Sequence, residues 1–132
     1  MIRVPAVVAA LALLAAPAAA QDRGIFLFDF ANDENASRVQ MAEQVVEDAQ
    51  DIGDAAVVLC AGSTGNRGRD QRREVMALLV EAGAARHRLL DAGTCTPQIA
   101  GSSRQAIGEN RVWLALTTAT FLERYQREAM GL

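Results

Sequence analysis

Six consecutive apolar residues, Ala55-Ala56-Val57-Val58-Leu59-Cys60, stand between Gly53-Asp54 and a glycine-rich stretch that opens at Gly62. A continuous apolar run of this length is the mark of a strand buried on both faces. The flanking segments must therefore supply the covering layers. Upstream, Gly24-Ile25-Phe26-Leu27-Phe28-Asp29-Phe30 reads as a first strand with Phe26, Phe28 and Phe30 on one face, bounded by the polar Asn32-Asp33-Glu34-Asn35. Asn35 is the expected N-cap of a helix over 36–52, where Val39, Ala42, Val45, Val46, Ala49 and Ile52 recur at helical spacing and Arg38, Glu43, Glu47 and Asp51 lie elsewhere around the cylinder. Gly53 ends it.

Downstream of the central run, Gly62-Ser63-Thr64-Gly65-Asn66-Arg67-Gly68 reads as a loop. Val75, Met76, Leu78, Leu79 and Ala82 mark a second helix from about Asp70, closed by Gly83. Leu89 to Ala92 is a short strand candidate and Arg111 to Leu116 a stronger one, with a loop from Gly93 to about Gly108 between them. A last helix over 120–130 would carry Phe121, Leu122 and Tyr125 on one side. The order β-α-β-α-β-β-α predicts an α/β (α+β sandwich) class: a mixed sheet with helices packed on one side, strands one to three joined by right-handed crossovers, and a C-terminal helical extension from about 119.

The first 20 residues carry a separate message. Arg3, the apolar stretch Val4 to Ala16 and the small residues Ala18 and Ala20 ahead of Gln21-Asp22 make up a secretory signal with cleavage after Ala20. About 13 apolar residues are too few to span hydrocarbon, which takes ~20. Cleavage leaves residues 21–132, enough for one domain. The mature portion balances 12 arginines (13 less Arg3) against 16 acids, net −4, with no lysine; such mild acidity argues against nucleic acid as a partner. Export puts Cys60 and Cys95, the only cysteines, where disulfides persist, and a bridge between them is expected. The other reading is two unpaired thiols.

With the elements in this order, the chain resembles the OmpA-like C-terminal domain, an envelope module that binds peptidoglycan. Phe28-Asp29-Phe30 is similar to that family's first strand, and Gly62-Ser63-Thr64 falls where the family has Gly-His-Thr-Asp. Gly83, Arg88-Leu89, Gly93 and Pro97 follow its spacing around the third strand, and Asn110-Arg111-Val112 resembles the start of its last strand. The similarity covers roughly residues 25 to 116. It implies a non-enzymatic periplasmic protein, associated with the outer membrane and cell envelope, that holds the diaminopimelate of the peptidoglycan stem through an aspartate and an arginine. Gly65 stands in the aspartate's place and Gln71 in the arginine's.

Nearby residues offer a replacement. Arg67, Arg69, Arg72 and Arg73 lie within seven positions, and a guanidinium forks readily onto a carboxylate. Ser63, Thr64 and Asn66 add hydroxyl and amide groups, so Ser63, Thr64, Asn66, Arg67, Arg72 and Arg73 are the candidate ligand contacts. A solvated charged face is the alternative for the arginines. The glycines at 62, 65 and 68 match neither phosphate-loop fingerprint. His87, the single histidine, reads as a surface turn residue; pairing with Ser63 would make a small hydrolase, for which no nucleophile motif speaks. No metal set or cofactor is expected. The expected partner is peptidoglycan or an envelope protein; a protein-interaction module using the C-terminal helix is the rival reading.

Overall fold

The computed structural model describes residues 24–129 and Gly131. The expected signal segment and its cleavage point lie outside these residues. Strands β1 (Ile25–Asp29), β2 (Ala55–Ala61), β3 (Leu89–Thr94) and β4 (Arg111–Thr118) form one sheet in the order β1-β4-β2-β3. β4 runs antiparallel to both neighbours, and β2 pairs in parallel with β3. The last strand thus inserts between the first and second, and the expected mixed sheet is formed.

Period-two alternation divides the side chains between two faces. Phe28, Val57, Leu59, Val112 and Leu114 meet Ala42 and Val45 of helix α1 (Asn35–Ala49) and Val75 and Leu79 of helix α2 (Gly65–Glu81), with Phe26 and Phe30 packed alongside. Burying a Val, Leu or Phe fully is worth ~1.5–3 kcal/mol over leaving it exposed, so this layer is the main source of cohesion. On the opposite face, Cys60 and Trp113 pack with Cys95 and Ile107, joined by Leu27, Val58, Ile99 and Ala100. Both faces of the apolar run are covered, but by unlike layers.

Several boundaries differ from expectation for identifiable reasons. Helix α1 starts with Asn35 as its first residue behind the extended Glu34, and it ends at Ala49 rather than Ile52. Helix α2 starts at Gly65, five residues before the expected start at about Asp70. Glycines at its start suggest a loop, yet Gly68 is needed inside the helix: it is buried, and a β-carbon there would overlap the Ser63 carbonyl. The stretch expected as a loop from Gly93 to Gly108 holds two short helices, α3 (Pro97–Ala100) and α4 (Arg104–Ile107). Proline in the first turn starts α3, and Ser103, whose hydroxyl accepts from the Ala106 N–H, caps the start of α4. Neither is long enough to show a helical period.

Cys60 and Cys95 are joined, which ties the start of this second layer to β2. The Cys95 N–H also donates to the Ala61 carbonyl at 2.8 Å. Helix α5 (Ala119–Ala129) follows β4 without a break. No described helix is long and apolar enough to cross a membrane. The two ends of the sheet differ chemically. At the end where β2 and β3 begin, Arg88 pairs with Asp54 at 2.5 Å, and this bond holds the Asp54 carboxyl below its ordinary range. At the other end β1 and β2 finish, β4 begins, and α1 and α2 start; the polar residues gather there.

Candidate functional site

The chain leaves β2 through Gly62, whose N–H donates to the Arg111 carbonyl at 2.8 Å. A β-carbon at Gly62 would overlap the Gly108 carbonyl, so only glycine lets this turn close against the segment entering β4. That contact brings Ser63 to Asn110. Ser63 is 2% exposed, and its hydroxyl accepts from the Asn110 N–H at 2.8 Å. Asn110 has φ of 64°, a left-handed conformation that asparagine tolerates better than most residues. Its side-chain oxygen accepts from Gln71 Nε2 at 3.1 Å, bridging the β4 entry to α2. The Gln71 Oε1 is buried and has no partner among the described residues. Three neutral polar side chains, separated by up to 47 positions, thus form one cluster at the sheet end.

Charged pairs surround it. Asp29, at the end of β1, accepts from the Ala31 and Asn32 N–H groups and from the Asn32 side-chain amide, and pairs with Arg111 at 3.3 Å. The Asn32 amide chiefly, against the opposing effect of burial and aided by the two backbone N–H groups and Arg111, lowers the Asp29 carboxyl to about 2. On the α1 side, Arg38 lies over the Phe30 ring, 4.5 Å from its centroid. Its Nη1 donates to the Asp33 carbonyl at 2.6 Å, and its Nη2 is 3.5 Å from the Glu74 carboxylate of α2. Glu74 is one turn beyond Gln71, so the two share a helix face.

The arginine cluster does not converge on a single point. Arg67 and Arg73 are exposed, as are Thr64 and Asn66. Arg69 pairs with its neighbour Asp70. Arg72 turns toward β3, where its Nε lies 2.6 Å from the Asp91 carboxylate. That N–H is not aimed at the oxygen, so charge rather than a directed hydrogen bond holds the pair. Of the sequence candidates, Ser63 alone is inside the cluster; its partners are Gln71 and Asn110. Helical spacing puts Arg38 off the apolar face, yet its side chain is only 12% exposed. Its contact with Phe30 crosses from strand to helix and leaves no local sequence signal.

Chemically, the sheet end offers amides, a hydroxyl already committed to the backbone, and guanidinium groups. It suits hydrogen bonding and carboxylate recognition. Ser63 and His87 do not meet: Ser63 follows the end of β2 and His87 precedes the start of β3, and because these strands are parallel they occupy opposite ends of the sheet.

No family model matches the chain, and no curated protein matches it in sequence. Among solved structures, the chain is similar to the periplasmic domain of Helicobacter pylori MotB (residues 78–256), with a TM-score of 0.52 at 12% identity over 82% of this chain and 87% of that one. The mixed α+β architecture, a four-stranded sheet with its helices, is common to both.

Proposed function

We propose that this protein is an exported, non-enzymatic binding domain of the cell envelope that contacts peptidoglycan or a protein bound to it. Two observations support this reading. The motif order from Phe28 to Val112 resembles the OmpA-like domain, and the fold is similar to that of the periplasmic domain of Helicobacter pylori MotB. The observation that carries the reading is the closure of Ser63, Gln71 and Asn110 into one polar cluster. It lies where the resemblance sets the ligand.

The proposed contacts divide by exposure. Thr64, Asn66, Arg67 and Arg73 face solvent and are free to meet a polymer; Ser63 shapes the turn beneath them, and Arg72 contributes only after leaving Asp91. Diaminopimelate as the ligand is the finer part of the proposal, since Gly65 and Gln71 replace the acid and the cation that the resemblance implies. Sedimentation of the mature protein with purified sacculi tests the reading. Binding above that of a control protein, weakened by Arg73→Ala more than by Arg72→Ala, is expected; no binding above the control would end it.

A second reading, an interaction module for another protein, has one specific observation in its favour. Phe121 is 52% and Ile25 37% exposed, and both line an apolar groove with Val58 and Trp113. Loss of partner capture from envelope extracts on Phe121→Ser, with sacculus binding intact, would favour it.

A further inference from the structure

Arg38 is an under-partnered cation. A guanidinium has five N–H donors, and taking it out of water is costly unless geometry and hydrogen bonds compensate. Here one donor finds the Asp33 carbonyl at 2.6 Å. The single opposing charge among the described residues, Glu74, approaches Nη2 no closer than 3.5 Å and keeps its own side chain 46% exposed. The Nε is buried and has no acceptor among the described residues. Phe30 holds the plane of the group from one side. What remains unmet is the Nε and Nη2 edge, the pair of parallel donors that matches the two oxygens of a carboxylate.

The position of that edge matters as much as its chemistry. Glu74 reaches it from α2, one turn beyond Gln71, and Gln71 is bonded to Asn110. The guanidinium therefore borders the neutral cluster, which contains no cation of its own. We propose that Arg38 is the carboxylate-binding residue of this domain and that Glu74 is its displaceable counter-ion. The inference rests on the reading of this sheet end as the ligand site. A carboxylate enters by displacing the solvated Glu74 side chain and then accepts from Nη2 and Nε together, while Nη1 stays on the Asp33 carbonyl. The Asp33 carbonyl and the Phe30 ring thus set the orientation of the fork, and Gln71 and Asn110 supply neutral hydrogen-bonding groups beside it.

The test uses intact sacculi and sacculi whose peptide carboxylates have been converted to amides with a carbodiimide and ammonia. Arg38→Gln should weaken binding to native sacculi at least tenfold. Amidation should weaken the unaltered protein at least as strongly, and should weaken Arg38→Gln by a clearly smaller factor, because only the attraction of exposed charge is left to lose. Glu74→Gln, which removes the competing carboxylate, should bind native sacculi several-fold more tightly. Arg86→Ala, an exposed cation at the opposite end of the sheet, controls for net charge and should bind unchanged. Thermal melts of the oxidised proteins show that each variant is folded. If the unaltered protein binds and Arg38→Gln binds equally well, the assignment to Arg38 fails while the envelope reading stands. If Glu74→Gln binds no tighter than the unaltered protein, the assignment fails even where Arg38→Gln is too unstable to measure. If the unaltered protein does not bind sacculi at all, both fail.

Discussion

Replacing both cysteines with alanine removes the one covalent tie between the sheet and the layer formed by α3 and α4. The bridge joins residues 35 apart. On the chain-entropy model, opening a loop of this length restores enough freedom to the unfolded chain to cost about 3.8 kcal/mol at 25 °C. A native-state loss adds to it, because Cys60 is 0% and Cys95 3% exposed, so the sulfurs are packed against Trp113 and Ile107 and alanine leaves part of their volume empty. Gain of stability elsewhere has no obvious source: the segment 95–107 keeps the contacts it already makes, its short helices, the packing of Ile99, Ala100 and Ile107, and the Cys95 N–H bond to Ala61. For a domain of this size, each kcal/mol corresponds to roughly 4 °C in Tm. Cys60→Ala with Cys95→Ala should therefore lower the midpoint by about 15 °C or more, and urea titration should show a shifted midpoint. Reductant should produce a similar loss in the unaltered protein and none in the double variant. A midpoint lowered by less than ~4 °C would refute the reasoning, because the chain-entropy term alone exceeds that.

Three further outcomes follow from the same end of the sheet. Gly62→Ala forces a β-carbon onto the Gly108 carbonyl and should cost ~1–3 kcal/mol in urea unfolding, as overpacking does; an unchanged midpoint would mean that the turn can relax. Ser63→Ala leaves the Asn110 N–H without its acceptor and should cost ~1–3 kcal/mol, with the Asn110 amide losing protection in hydrogen exchange. Asp29 has its carboxyl lowered from 3.8 to about 2, so the unfolded chain takes up this proton first as pH falls. Its stabilising effect is complete above pH 4 and is lost between about 4 and 2. Asp29→Asn should flatten stability against pH in that interval, and acid limbs of equal slope in the two proteins would contradict the assignment.

Legibility in the sequence follows the length scale of each signal. The central apolar run and the phenylalanine alternation are local, and their strands and faces appear as expected. The bridge was legible because two cysteines admit only one intramolecular pairing. The insertion of β4 between β1 and β2 was not, since its pairing rests on contacts such as Leu27 with Trp113 and Cys60 with Trp113, far apart in the chain. The same limit governed the site. Ser63 was found through the motif it belongs to, but its partner Asn110 becomes one only when Gly62 packs on Gly108. The arginines near the start of α2 looked like a cluster because they are close in sequence; helical geometry points them in different directions, with Arg72 drawn to β3 and Arg67 and Arg73 left in solvent.

That divergence separates two kinds of cationic contribution, and salt distinguishes them. Arg67 and Arg73 are exposed and make no ion pair among the described residues. Any attraction they exert on an anionic polymer acts through water and is screened, with a Debye length of ~10 Å at 0.1 M falling to ~3 Å at 1 M. Arg38 is recessed over Phe30 with 12% of its side chain open, so a carboxylate seated on it is shielded from solvent ions, and its contribution depends on fork geometry more than on range. Binding of the unaltered protein to sacculi should therefore fall over the first few hundred millimolar of salt and then level off. The Arg67→Ala, Arg73→Ala pair should remove the steep portion and keep the plateau. Arg38→Gln should do the reverse, retaining a salt-sensitive association that vanishes at 1 M. A single smooth decline to zero in the unaltered protein would mean that only exposed charge operates, leaving the recessed arginine without a part in recognition.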